Sequence, residues 1–235
     1  MCSIILHIGA EGVFIAANRD EMVDRLWGPP KEYWPGISGG RDQTGGGTWA
    51  ALNRHNVFAA LLNRTGTLGP ATGKLSRGNL PLLALAHKTA AEAVAAISVL
   101  DAAQYRSFNL VIADAAGAFL LRGLEYGNPD FHALTQGVTM ITSGEANDMT
   151  FPRIARHLPR FMATKPQNWW KLLADSSGGR EEQLNIYPPS AGFGTVCSSI
   201  IHLPRHSTAT QLFAAGPPGK TPFLPVTFSF INADL

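Results

Sequence analysis

The second residue of the chain is a cysteine, and a charged tetrad follows at the end of the next apolar run. The chain opens MCSIILHIGAEGVFIAANRDE, so Cys2 follows the initiator methionine and the tetrad reads NRDE. A thiol nucleophile needs a base to take its proton. If Met1 is removed, the α-amino group of Cys2, with a pKa near ~7.7–8.0, is that base. An anion for the ammonium and donors for an oxyanion are then also needed.

The segments around Cys2 predict a β-hairpin that brings the tetrad to the sulfur. SIILHI and GVFIAAN flank the turn Gly9–Gly12. If Cys2 begins the first strand and NRDE ends the antiparallel second strand, the tetrad lies beside the sulfur. In the alternative interpretation, Cys2 is a small buried hydrophobe and NRDE is a polar turn. On spacing alone, this structural alternative is favoured roughly two to one.

Three other motifs predict turns rather than chemistry. GISGG matches the nucleophile elbow of serine hydrolases, but no strand precedes it and no helix follows it, so Ser38 is predicted to be a turn residue. TGGGTW lacks the lysine and hydroxyl residue of a phosphate-binding loop. In HLPRH, Pro204 argues against a helical pair of metal-binding histidines. We therefore expect no metal site and no cofactor.

Composition excludes several classes of protein. Apolar residues make up 45% and charged residues 15% of 235 residues, which favours a large core in one domain, residues 1–235. The net charge of +2 argues against nucleic acid as a partner. We expect no signal peptide, and no apolar run reaches the ~20 residues that span a bilayer. Two distant cysteines do not form a disulfide framework, so we expect a cytoplasmic location.

The order of the predicted elements favours an α+β fold over alternating βαβ units. Strands are predicted at TWAALN and NVFAALLN, and then at FNLVIAD, GAFLLRGLE and VTMITS. PPKEYWPGISGGRDQTGGG is predicted to be a loop, and SRGNLPLLALAHKTAAEAVAAISVL one long helix or two short ones. Helices are predicted over Asp148–Met162 and Gln167–Asp175, with the basic stretch Arg153 to Arg160 on the solvent side. TVCSSIIHL, ATQLFAA and PVTFSFI are predicted to end the chain as strands.

Several segments together resemble one family. MCSIILHI, ANRDE, GGRDQTGGGTWAALN, NVFAALLNR, LSRGN, FNLVIAD and GTVCSS occur in the order typical of the NRDE-motif family, which is transport and Golgi organisation protein 2-like. That family resembles the amino-terminal-nucleophile hydrolases of the penicillin V acylase and bile salt hydrolase type. The resemblance implies a four-layer αββα sandwich with two antiparallel sheets.

The same resemblance implies roles for individual residues. Cys2 matches the nucleophile, Arg19 and Asp20 match an arginine and an aspartate that flank the sulfur and the amine, and Asn63 matches an oxyanion donor. Further residues are expected to line the site, namely Asn18, Glu21 and Asn147. The chain departs from the acylases at Gly144, where they have an asparagine that only Asn147 could replace, and at Ser198 and Ser199, where their late arginine has no evident match.

Two functions are consistent with this resemblance. The first is a cysteine hydrolase that cleaves the C–N bond of a small linear, non-peptide amide. The alternative is a non-catalytic binding or transport protein on the same scaffold, with an acyl lipid or haem as its ligand. The fold alone does not decide between them. In either case the expected partner is a small-molecule amide or a lipid-like ligand.

Overall fold

The computed structural model describes residues 2–228 and residue 230. It divides into two compact units, one built from the residues up to Arg25 together with Thr135–Val226, and the other built on Leu26–Leu134. The strands are β1 (Ser3–Gly9), β2 (Gly12–Met22), β3 (Trp27–Trp34), β4 (Ile37–Asp42), β5 (Ala50–Asn53), β6 (Phe58–Asn63), β7 (Phe108–Asp114), β8 (Gly117–Gly123), β9 (Asp130–Ala133), β10 (Gly137–Ile141), β11 (Phe193–Pro204), β12 (Thr210–Ala214) and β13 (Leu224–Pro225). The α-helices are α1 (Leu80–Ala84), α2 (Ala90–Ile97), α3 (Pro152–Met162) and α4 (Trp169–Leu173).

The first unit is a six-stranded sheet with two helices packed on one face. The strand order is β10-β1-β2-β11-β12-β13, and all its pairings are antiparallel. Pro152 stands in the first turn of α3, where its missing N–H costs no helical hydrogen bond. The core of this unit joins sheet residues to residues of the helices and the following loop, namely Ile5, Ala16, Met140, Ile154, Leu158, Phe161, Trp169, Leu173 and Leu184.

The second unit repeats this arrangement with a seven-stranded sheet. Its order follows the chain from β3 to β9, and every pairing is antiparallel. Thr89 is the N-cap of helix α2, and its hydroxyl accepts from the backbone N–H of Glu92 at 3.2 Å. Apolar residues of α1 and α2, such as Leu80 and Val94, pack against Leu110 and Ile112 of β7. The predicted α+β fold with two antiparallel sheets is thus confirmed.

The predicted loop between the first hairpin and TWAALN was wrong, because this segment holds β3 and β4. Pro29 and Pro30 argued for a loop, but β3 is the edge strand of its sheet, where a missing N–H is tolerated. The β3–β4 pairing also shifts register between Gly28 and Lys31, across the two prolines. Ser38, predicted to be a turn residue, is buried within β4.

Other boundaries differ less from the prediction. The alanine-rich segment forms the two short helices α1 and α2. The short edge strand β9 was not predicted, and all four of its residues are exposed. Of the final predicted strand, PVTFSFI, only Pro225 lies in a strand, since β13 (Leu224–Pro225) pairs with β12. Residues 229 and 231 of that prediction lie outside the described part of the chain.

Replacing Gly46 with valine is expected to lower the free energy of unfolding by about 1–2 kcal/mol, which urea denaturation would measure. Gly46 has φ +78° in the turn between β4 and β5, a region that β-branched residues avoid, although no atom crowds its missing Cβ. Gly117→Val is the matched control, since Gly117 also has open space but no left-handed φ. Equal losses in the two variants would contradict a conformational requirement at Gly46.

Candidate active site

The β1–β2 hairpin brings Cys2 to the NRDE tetrad. Ser3 pairs with Asn18 in the antiparallel register, so Cys2 stands level with Arg19. The sulfur of Cys2 donates to the backbone carbonyl of Asp20 at a distance of 3.6 Å, and the residue is partly exposed. The hairpin formed by β1 and β2 therefore places the thiol beside the tetrad, as the sequence predicted.

Side-chain alternation divides the tetrad between the two faces of the sheet. Successive residues of a strand point to opposite faces. Asn18 and Asp20 share the helix-packed face with Ser3, and their side chains bond to residues of α3, α4 and the adjoining loop. Arg19 and Glu21 alternate onto the other face, which is the face of Cys2. Cys197 of β11 pairs directly with Arg19 and so lies on that face as well.

Arg19 is a buried cation between the two cysteines. Arg19 is 5% exposed, and its Nη2 lies 3.6 Å from the Oε2 of Glu21. The same Oε2 lies 3.8 Å from the Nε of Arg25. Because Glu21 is shared between two arginines, the cluster keeps positive charge next to the thiols.

Burial dominates the acidity of both thiols. Burial raises the pKa of the Cys2 thiol, and the amino-terminal charge and Arg19 offset only part of this effect. Burial also raises the pKa of Cys197 to about 12, again against the lowering effect of Arg19. Both thiols are therefore mainly protonated near neutral pH in the chain that starts at Met1.

The carboxylate of Asp20 is held on both oxygens. Nη1 of Arg153 lies 2.8 Å from Oδ2, and the hydroxyl of Thr195 donates to Oδ1 at 2.7 Å. The same Nη1 donates to the hydroxyl of Ser3 at 3.0 Å. Asp20 thus contacts the sulfur through its backbone, while its side chain is bonded to α3 and β11.

Arg153 is a residue that the sequence analysis misplaced. It was predicted on the solvent side of its helix, but it is 3% exposed. The missed signal is its position four residues before His157 and one before Ile154, which are both fully buried on α3. This spacing places Arg153 on the sheet-facing stripe of the helix, where a charge needs a partner.

Asn18 connects three parts of the first unit. Its Nδ2 donates to the carbonyls of Leu173 and Leu184 at 3.0 and 2.9 Å, and its Oδ1 accepts from the hydroxyl of Ser198 at 2.6 Å. These contacts satisfy both donors and an acceptor of the amide, on the face opposite Cys2. They make Asn18 a structural residue at the end of the hairpin, and its site-lining role stays a prediction.

The two remaining asparagines, Asn63 and Asn147, come from different parts of the chain. Asn147 is exposed with φ 56°, and its side-chain oxygen accepts from the backbone N–H of Met140 at 2.7 Å, closing the loop after β10. Asn63 ends β6 in the second unit, on the same side of the strand as Leu61, which packs against the helices. Their proposed roles stay predictions.

A buried hydroxyl that the sequence analysis did not name follows the strand that pairs with β1. The β1–β10 ladder ends where Ile4 pairs with Ile141, and Ser143 stands two residues beyond that pair. Ser143 is 5% exposed. The sequence analysis predicted VTMITS as a strand but not its pairing with the first strand. Ser143 is therefore a further candidate donor at the site.

Within the described residues, His, Cys, Asp and Glu side chains nowhere gather in the groups of three or more that could hold a metal ion. None of the helices described here has both the length and the apolar character needed to cross a membrane.

Known proteins resemble this chain in family and in fold. The family model described as Transport and Golgi organisation 2 matches residues 1–171. Among curated proteins, none matches the sequence. A solved structure of the Caenorhabditis elegans N-acylethanolamine-hydrolyzing acid amidase ortholog matches with a TM-score of 0.59 at 13% identity, covering 86% of this chain and 92% of that one.

Two further solved structures show the same fold. Penicillin V acylase from Agrobacterium tumefaciens matches with a TM-score of 0.56 at 15% identity, over 91% of this chain and 83% of its own. A mutant conjugated bile acid hydrolase from Clostridium perfringens matches with a TM-score of 0.54 at 9% identity, over 100% of both chains. Since the family model covers well over half of the sequence, this chain belongs to the Transport and Golgi organisation 2 family, and its α+β fold is that of the amino-terminal-nucleophile hydrolases.

Proposed function

We propose that the protein is an amino-terminal-nucleophile cysteine hydrolase that cleaves the C–N bond of a small linear, non-peptide amide. The observation that carries the proposal is the position of Cys2, whose sulfur lies 3.6 Å from the backbone of the NRDE tetrad. The buried Arg19 alternates onto the same face. The fold shared with an acid amidase and an acylase supports this chemistry.

The proposed reaction begins after Met1 is removed. The α-amine of Cys2 takes the thiol proton, and the sulfur attacks the amide carbonyl to form a tetrahedral oxyanion. The C–N bond then breaks, the ammonium proton passes to the leaving amine, and an acyl thioester remains on Cys2. Water, deprotonated by the same amine, cleaves the thioester and releases the carboxylic acid.

Individual residues have defined roles in this proposal. Arg19 stabilises the thiolate, because its guanidinium lies close enough to lower the pKa of the thiol. Asp20 is the partner of the ammonium, with its carboxylate oriented by Arg153 and Thr195. Asn63 and the hydroxyl of Ser143 are the candidate oxyanion donors.

The second candidate function is a binding or transport protein for an acyl lipid or haem. It is favoured by the occupied carboxylate of Asp20, since both oxygens already have partners, and by the raised pKa of the Cys2 thiol. On this alternative the same site holds a ligand and performs no covalent step.

The processed protein is expected to release amine from a panel of linear N-acyl amides, with Cys2→Ala reducing the rate by about 10³-fold or more. Cys197→Ala is the matched control and is expected to keep its activity, since it removes a protonated buried thiol. Release of amine would be measured by fluorescence after derivatisation. Equal rates in Cys2→Ala and the unsubstituted protein, or saturable binding of fatty acid or haem without turnover, would favour the second candidate.

A further inference from the structure

The guanidinium of Arg153 bonds to a residue on each strand of the first hairpin, next to Cys2. Its Nη1 donates to the hydroxyl of Ser3, the next residue along β1, at 3.0 Å. It also donates to the carboxylate of Asp20 at 2.8 Å, and the backbone carbonyl of Asp20 contacts the sulfur across the hairpin. One side chain of α3 therefore joins the two strands where Cys2 stands.

The contacts of Arg153 are buried and continue into the neighbouring strand. The side chains of Arg153 and Asp20 are 4% and 0% exposed. Thr195 of β11 donates to the second carboxylate oxygen and accepts from the backbone N–H of Ile186 at 2.8 Å. Because each oxygen of the carboxylate has a fixed partner, Asp20 has a single orientation.

We propose that Arg153 is a positioning residue for Cys2. From α3 it fixes the open end of the first hairpin through Ser3 and Asp20, and it balances the negative charge that Asp20 brings next to the sulfur. It does so without touching the sulfur itself. The inference rests on the proposed function only in treating Cys2 as the reactive group.

The charges around Cys2 give this role a measurable consequence. Arg19 lies on the face of the thiol, Cys197 lies nearby on β11, and the amino-terminal charge belongs to the same strand end. The carboxylate of Asp20 lies on the opposite face of β2, and its charge acts on the thiol through space. Glu21 is paired with Arg19. The negative charge of Asp20 disfavours the thiolate, so removal of the cation that pairs with Asp20 is expected to raise the thiol pKa further.

The test is the rate of Cys2 alkylation by iodoacetamide as a function of pH, measured by peptide mapping on the full chain. Arg153→Met is expected to move the midpoint to higher pH, which makes alkylation at about pH 8 roughly three- to tenfold slower. Arg153→Lys keeps the charge and is expected to restore most of the rate. The control is Arg160→Met, which removes a cation of α3 that pairs with Asp175 instead.

The pH midpoint of Cys2 alkylation distinguishes an effect on the charge near the thiol from an effect on packing. A change of packing alters access and therefore the plateau rate at high pH, whereas the charge of Asp20 alters the midpoint. Unchanged midpoints in Arg153→Met and Arg160→Met, with only the plateau affected, would overturn the proposal. A midpoint shift of the same size in both variants would also overturn it, because the effect would then be that of any cation on α3.

A second pair of variants keeps the test valid if Arg153→Met does not fold. Asp20→Asn and the double variant Asp20→Asn with Arg153→Met both lack the buried carboxylate. Because Arg153 acts on the thiol through the charge of Asp20, the double variant is expected to titrate with the same midpoint as Asp20→Asn. A clearly higher midpoint in the double variant would contradict the proposal. A chain with the predicted midpoints that cleaves no amide would disprove the proposed hydrolase and leave the positioning role intact.

Discussion

Arg153→Met is expected to lower the free energy of unfolding by about 3–5 kcal/mol. The substitution removes the arginine that forms an ion pair with the buried carboxylate of Asp20 at 2.8 Å, while the hydroxyl of Thr195 still donates to the other oxygen. A buried charge that loses its partner costs far more than an exposed one. Urea denaturation near neutral pH, followed by circular dichroism, measures the loss.

Two control variants distinguish the loss of the buried ion pair from the loss of any positive charge on α3. Arg160→Met removes the pairing of a largely exposed arginine with Asp175 and is expected to cost about 1 kcal/mol or less. Asp20→Asn combined with Arg153→Met removes both charges, so it is expected to recover a substantial part of the stability lost in Arg153→Met. A loss in Arg153→Met no larger than that in Arg160→Met would show that the buried pair is not important for stability.

In the protein that lacks Met1, iodoacetamide is expected to modify Cys2 at least about 100-fold faster than Cys197 near pH 8. Cys197 is 1% exposed and its pKa is raised to about 12, so roughly one molecule in ten thousand carries its thiolate at that pH. Cys2 is partly exposed, and removal of Met1 places an ammonium directly beside its sulfur. Quenched time points analysed by peptide mapping give the two rates.

The matched comparison is a chain whose start is blocked so that Met1 is retained. Burial raises the pKa of the Cys2 thiol in that chain, so less thiolate is present and alkylation is expected to be slower than in the processed protein. The processed protein should reach half of its maximal rate at a lower pH than the blocked chain. Equal rates at Cys2 and Cys197, or equal pH profiles for the two chains, would remove the evidence that the amino terminus activates the thiol.

Local sequence patterns predicted the first hairpin correctly, and with it the place of Cys2. Two apolar runs joined by the turn Gly9–Gly12 predict the hairpin in which Ser3 lies opposite Asn18. The partners of the tetrad were not predictable in this way. Arg153 is 133 residues from Asp20, and only the packing of α3 on the sheet brings them together. An arginine in a helix is usually predicted to be exposed to solvent. Only its position on the buried face of α3 indicates that Arg153 is buried.

Other residues show the same limit. Asn18 was predicted to line the site, but its amide connects Leu173, Leu184 and Ser198, which come from distant parts of the chain. The edge strand β3 was missed because its prolines outweighed the pairing that a sheet edge permits. Ser143 follows β10, and a single sequence does not specify the pairing of β10 with β1.

The most direct test of the account is the intact mass of the processed protein after brief exposure to a reactive linear amide or its activated ester. If Cys2 is the nucleophile, one acyl group is expected per chain, peptide mapping should place it on Cys2, and Cys2→Ala should carry none while Cys197→Ala is labelled normally. An unmodified mass in the processed protein, or an acyl group that persists in Cys2→Ala, would contradict the proposal that this family member is a cysteine hydrolase.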